Sequence, residues 1–236
     1  MWPSQKYRGR LPSYPLYRLA LSIVSSPAVI DLLGSLAYGE LVSYERITAD
    51  AVIAPTLADQ VELAAIAAVE FAHFQKIAAR LRELGADPVT VMQPFVEPIN
   101  QLHENLAPRD WLEGLLKIYV GDGIVADFYR ELSAQMAPDV AELVEEVLGD
   151  SGHEAFAIKR IQEAIAADGK VAGRLALWGR RLMGEMISQA TLVSAARPEL
   201  HTLFLDAARD ADNMSGLLNR LTVGHARRMD VLKLAS

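Results

Sequence analysis

From Leu57 to Leu84 the chain reads LADQVELAAIAAVEFAHFQKIAARLREL, 28 residues without a glycine or a proline. Apolar residues recur in it at steps of three and four, the period of an α-helix and not of a strand. Thr56 and Asp59 stand where a helix start needs a cap and a first-turn carboxylate, and Gly85 stands where a helix stops. Such a helix is about 42 Å long at 1.5 Å per residue. A stripe of that length needs partners of matching length to cover it, which a bundle of long helices supplies and a globin-like packing does not.

The same Ala, Leu, Glu and Arg patterning predicts helices near residues 27–49, 57–84, 110–136, 139–167, 170–195 and 199–234. Asp110 opens the third and Pro138-Asp139 the fourth. No Asn-Gly or Asp-Gly turn lies between alternating runs, so the fold class is all-α. The connection between the second and third helices is the longest, about 25 residues carrying Pro88, Pro94, Pro98 and Pro108. A long link between two short-linked helix pairs is the topology of a four-helix bundle with one crossover. The expected organisation is a single domain over 1–236, with the four-helix core at 15–168 and two additional helices at 169–236. Residues 1–14, rich in Pro, Gly and polar residues, read as a surface arm.

Composition removes several alternatives. With 51% apolar residues in 236 the chain can build its own core. The absence of cysteine excludes disulfides, thiolate metal sites and thiol nucleophiles, so a metal here must be held by oxygen and imidazole. Against 30 Asp+Glu stand 23 Lys+Arg, a net charge of −7, which argues against a general affinity for polyanions. The run LALSIVSSPAVIDLLGSLAYGEL is interrupted by Pro27, Asp31 and Glu40 and falls short of the roughly 20 clean residues a span needs. It reads as a buried helix, and the N-terminus lacks the order of a signal peptide; the expectation is a soluble, cytoplasmic protein with no membrane contact.

The polar residues inside the apolar stripes carry the functional signal. Glu70 and His73, three apart and so on one helix face, share that face with Leu63, Ile66 and Ile77. Asp150 and His153 repeat the arrangement on the face of Leu143, Val147, Ala157 and Ile161. In the first helix Glu40 sits among Leu33, Leu36, Tyr44 and Ile47. In the third, Asp122 and Asp127 lie about 140° apart, so only one can face the core. Asp122 has Leu115, Ile118, Tyr119, Val125, Ala126 and Tyr129 at helical spacing, and Asp127 has Arg130 and Glu131. Asp122 is the inward one. Asp122 follows Glu40 by 82 positions, and Asp150-x-x-His153 follows Glu70-x-x-His73 by 80. Two helix pairs with matching loops bring all six groups to similar heights, as four carboxylates and two imidazoles of a di-metal site.

Glu40, then Glu70-Phe-Ala-His73, then Asp122, then Asp150-Ser-Gly-His153 resembles the ferritin-like di-iron carboxylate proteins, whose four helices carry Glu, Glu-x-x-His, Glu and Glu-x-x-His. In length and in its extra C-terminal helices the chain is most similar to the tRNA hydroxylase group that modifies 2-methylthio-isopentenyladenosine. The resemblance spans about residues 27–167. It implies two iron ions, or manganese, on Glu40, Glu70, His73, Asp122, Asp150 and His153, with those residues catalytic through the metals. It further implies O2 as co-substrate, an electron-donor protein as partner and a tRNA nucleoside as substrate. The chain departs from the pattern in having Asp for Glu at 122 and 150. Gly149 and Gly152 flank Asp150, and Glu154 and Glu62 are nearby substitutes as ligands.

Tyr44 and Tyr119 are expected to line the same cavity. Arg174, Arg180, Arg181, Arg227 and Arg228, with Lys170, read as solvated faces, or as phosphate contacts if tRNA is the substrate. Glu185 is an expected partner for one of these arginines. His103, His201 and His225 receive no role. The last helices either cover the bundle or form a homodimer interface. Two further functions fit the same residues, a ferroxidase or peroxide-handling protein and a metal-poor helical scaffold.

Overall fold

The computed structural model describes residues 26–149, 152–195, 197–209 and 214–235. The surface arm expected over residues 1–14 lies outside them. Every regular element among the described residues is helical. Two long helices come first, α1 (Pro27–Val52) and α2 (Leu57–Glu83). Ser26 accepts from the Val29 amide and Pro27 occupies the first turn of α1, where its missing N–H costs nothing. Thr56 accepts from the Asp59 amide at the start of α2, and Gly85, at φ 79°, turns the chain out of it.

The crossover is itself helical. It contains α3 (Pro88–Met92), a 3-10 turn (Gln93–Phe95) and α4 (Val96–Asn105). Three of the prolines that read as loop markers, Pro88, Pro94 and Pro98, sit in first turns, and Pro108 lies in the link that follows α4. Pro88 opens α3 under an Asp87 cap, and Pro98 lies in the first turn of α4, positions where proline removes no intrahelical bond.

The third long helix is continuous but not uniform. α5 (Trp111–Leu116) passes into a π-helical turn (Lys117–Gly121) and then α6 (Asp122–Ser133). The fourth is split into α7 (Pro138–Val147) and α8 (His153–Ala167). Gly152 takes φ 89°, a left-handed conformation that no α-helix continues through. Beyond these come α9 (Lys170–Ala195), α10 (Pro198–Arg209) and α11 (Met214–Val231), three additional helices where two are expected.

α1 and α2 form an antiparallel hairpin and make the most extensive contact in the fold. Ion pairs tie α2 to the fourth layer: Arg80 and Lys76 meet Asp139 and Glu146 near α7, and Asp59 meets Arg160 of α8. The C-terminal helices pack on the bundle, α9 against α4 and the π turn, α11 against α6, and α10 against α1. Trp178 of α9 is buried and donates to the Glu113 carbonyl at 3.0 Å. No described helix is long and apolar enough to cross a membrane.

Candidate metal centre

Glu40 lies thirteen residues before Ile53, and Glu70 fourteen after Thr56, on either side of the α1–α2 turn. The hairpin therefore sets them level. Each occupies a buried stripe position, Glu40 among Leu33, Leu36 and Ile47, and Glu70 among Leu63, Ile66 and Ile77. The apolar neighbours that drive helix packing thus carry two carboxylates inside with them, each only 7% exposed. His73, one turn beyond Glu70, completes the group: one ligand atom from each of the three residues lies within 4.8 Å of the others.

The electrostatics of this cluster are unfavourable without a cation. Burial, then the charge and hydrogen bond of Glu70, then Asp122, push the Glu40 carboxyl well above the ordinary carboxylate range. Its Oε2 has no hydrogen-bond partner, with His73 Nδ1 at 3.4 Å. A buried acceptor left in this way costs about 1–3 kcal/mol. Two carboxylates and an imidazole, without thiolate, suit iron, manganese or zinc. The cluster is compatible with metal binding, and the orphaned oxygen is where a cation would be satisfied.

The cluster opens on a cavity of about 290 Å³. Asp122 lines it from the first residue of α6, and its charge acts on Glu40. Asp122 is placed by the π turn, whose last bond runs from the Asp122 amide back five residues to the Lys117 carbonyl. Asp127, one and a half turns on, is engaged by Arg228 at 2.8 and 3.0 Å. Of the two aspartates, Asp122 is therefore the one beside the cluster.

The π turn also buries Lys117, which donates to His103 Nδ1 and to the Leu106 carbonyl, both at 3.0 Å. Burial, and then the ammonium of Lys117, lower the His103 imidazole to about 3. Burial brings Lys117 itself down to about 8, against the opposing pull of Asp122. His103, assigned no role from sequence, lines the cavity as a neutral imidazole. Its signal was its place in the crossover, which is legible only once the crossover is seen to be helical. His225, also set aside, is 4% exposed with both ring nitrogens unpartnered, and burial then Arg228 hold its pKa down.

Asp150 and the side chain of His153, the second half of the six-residue set, lie outside the described residues. On either side of them α7 ends at Val147 and α8 begins at His153. Glu154, in the first turn of α8, reaches the cavity wall, whereas Glu62 is exposed on the outside of α2. Tyr119 lines the cavity and its hydroxyl pKa is raised by burial and by Glu154. Tyr44 does not; its ring packs on Phe71 at 5.1 Å. Arg174 pairs with Asp110 and Glu113, Arg180 and Arg181 donate to the carbonyls of Ala235 and Asn105, and Arg228 pairs with Asp127.

Comparison with family models matches residues 25–207 to the ferritin-like domain of actinomycetes. The chain belongs to this ferritin-like family. The match takes in α1 through most of α10, so in this ferritin-like protein the extra helix α9 lies within the matched region and α11 beyond it. No curated protein matches the chain.

Proposed function

We propose that this ferritin-like protein is an oxygen-activating metalloenzyme of the di-iron type, a hydroxylase of C–H bonds. The observation that carries the reading is the buried Glu40, Glu70 and His73 cluster with an orphaned Glu40 oxygen, open to a cavity. A cavity of about 290 Å³ beside the carboxylates gives a substrate room next to the cluster, which a plain scaffold does not need. Glu40, Glu70 and His73 would hold the first ion. Asp122 is the nearest described group for a second, with Asp150 and His153 as the remaining proposed ligands. Bound iron or manganese supplies the O2 and electron-transfer chemistry that no side chain here can provide.

The chain's own part is positional. Glu40, whose burial favours its neutral form, would give up its proton when a cation enters, and the bundle fixes its spacing from Glu70. The apolar cavity wall keeps bulk water from the reacting groups. Hydroxylation inserts one oxygen atom of O2 into a C–H bond and releases the other as water, taking two electrons from an electron-donor protein and two protons from solvent. A tRNA nucleoside is one substrate to test. Arg174 and Arg228 are paired within the fold, which leaves the exposed Arg180, Arg181 and Arg227 as the cations of α9 and α11 to test against it.

The test is metal content. Protein purified from iron-supplemented cells should carry at least about half an equivalent of iron or manganese per chain, and His73→Ala should lower it by at least about half. Unchanged metal in His73→Ala would show that other residues bind it. O2 consumption with and without a tRNA fraction then addresses that substrate.

A further inference from the structure

The carboxylates account for only part of the cavity. Most of its remaining wall is apolar, with Leu36, Ile99, Ile118, Ile124, Phe128 and Met186 among the contributors. One polar side chain on this wall has no task in the cluster. Gln189 of α9 is 4% exposed, and its Oε1 has no hydrogen-bond partner. A core-facing position on a packed helix is ordinarily filled by an aliphatic residue. Glutamine here loses side-chain entropy and leaves a buried carbonyl unpaired. Among the described residues no hydrogen bond to that carbonyl offsets this. Its terminal amide torsion is broad, so either the oxygen or the nitrogen can be turned to an occupant.

Size and charge narrow the occupant. About 290 Å³ lies at the small end of ligand cavities, which run from roughly 300 Å³ upward. An anion would meet Glu40, Glu70 and Asp122, while the cations on the wall, Arg130 and Arg228, are already engaged by Glu145 and Asp127. We infer that the cavity takes a small, uncharged, mainly apolar molecule bearing a hydroxyl or amide N–H, and that the Gln189 carboxamide anchors it through that group. Describing the occupant as a substrate rests on the reading of the adjacent cluster as the reactive centre. Its binding does not.

Phenol and toluene, nearly equal in shape, separate the polar anchor from the apolar fit. Their affinities for full-length, metal-free protein can be measured by ligand-observed NMR titration. Wild type should bind phenol about tenfold or more tighter than toluene, the worth of about 1.4 kcal/mol. In Gln189→Leu, and in the volume-matched Gln189→Met, that ratio should fall below about three with toluene affinity kept or improved. The inference is overturned if neither probe binds wild type, if the two bind equally, or if the preference for phenol survives in both folded variants. Metal content of the Gln189 variants should equal wild type. Phenol selectivity in a protein that takes up no metal would therefore sink the proposed function and leave this inference standing.

Discussion

At Glu40, the charge that equips the site also weighs on the fold. Its carboxyl pKa is raised, first by burial and then by Glu70. Such a group favours the folded state fully below the unfolded carboxylate pKa and withdraws that support as pH climbs. Metal-free protein should therefore be less stable from this residue at a pH above the ordinary carboxylate range than at one within it. Removing the charge in Glu40→Gln should abolish part of that loss, on the order of a few degrees in Tm, and also remove the stabilisation that added metal gives wild type. Thermal melts of both proteins at the two pH values, with and without manganese, check this. His103 and His225 act in the opposite sense, since their depressed pKa values cost stability as pH falls below about 6.5. The wild-type to variant difference isolates Glu40. An identical pH profile in the two proteins would mean that the carboxyl is not buried in solution as it is here.

Among the elements, α1 and α2 were legible because their periodicity, caps and inward carboxylates agree. Ser26, Thr56 and Gly85 mark their ends, and Glu40, Glu70 and His73 fall on stripes that must face a partner. The fourth helix was less so. Gly149 and Gly152 are as compatible with a bend as with a stop, and only a left-handed φ at Gly152 decides for a stop. Lys117 reads as a solvent-facing residue, and its burial follows from the π turn, which has no compositional signature. The cavity-facing side of Asp122 is legible from Val125, Ala126 and Tyr129, because those neighbours lie downstream of the irregularity. The stop at Gly152 yields its own prediction. Gly152→Ala places a Cβ in open space but in a strained backbone, and should cost about 1–2 kcal/mol, lowering Tm by roughly 2–8 °C. A melt unchanged from wild type would show that the α7–α8 junction is helical in solution.

For the whole molecule, the described residues of 169–236 pack as part of one core with the bundle. Leu175, Trp178, Leu182 and Met186 are buried, Arg174 and Trp178 bond to Glu113, and Arg228 reaches across Gly123 to Asp127. A Cβ at Gly123 would lie 2.1 Å from Arg228 Nε, so the two helices approach through that missing side chain. A division of the chain after residue 168 therefore makes a poor cutting plan. A fragment ending at Asp168 should lack a cooperative thermal transition and should bind a hydrophobic dye, while the full chain does neither. A sharp melt from the fragment would restore the division.

The π turn at Lys117–Gly121 has a consequence for inheritance. It carries one residue more than the α-helical path would need, so helices α5 and α6 keep their own packing while differing in phase by about 100°. Loss of a single residue there would restore a regular helix, leave every carboxylate in the sequence, and turn Asp122 away from Glu40. A lineage could dismantle this cluster through one codon deletion, with all of its acidic residues still present in an alignment.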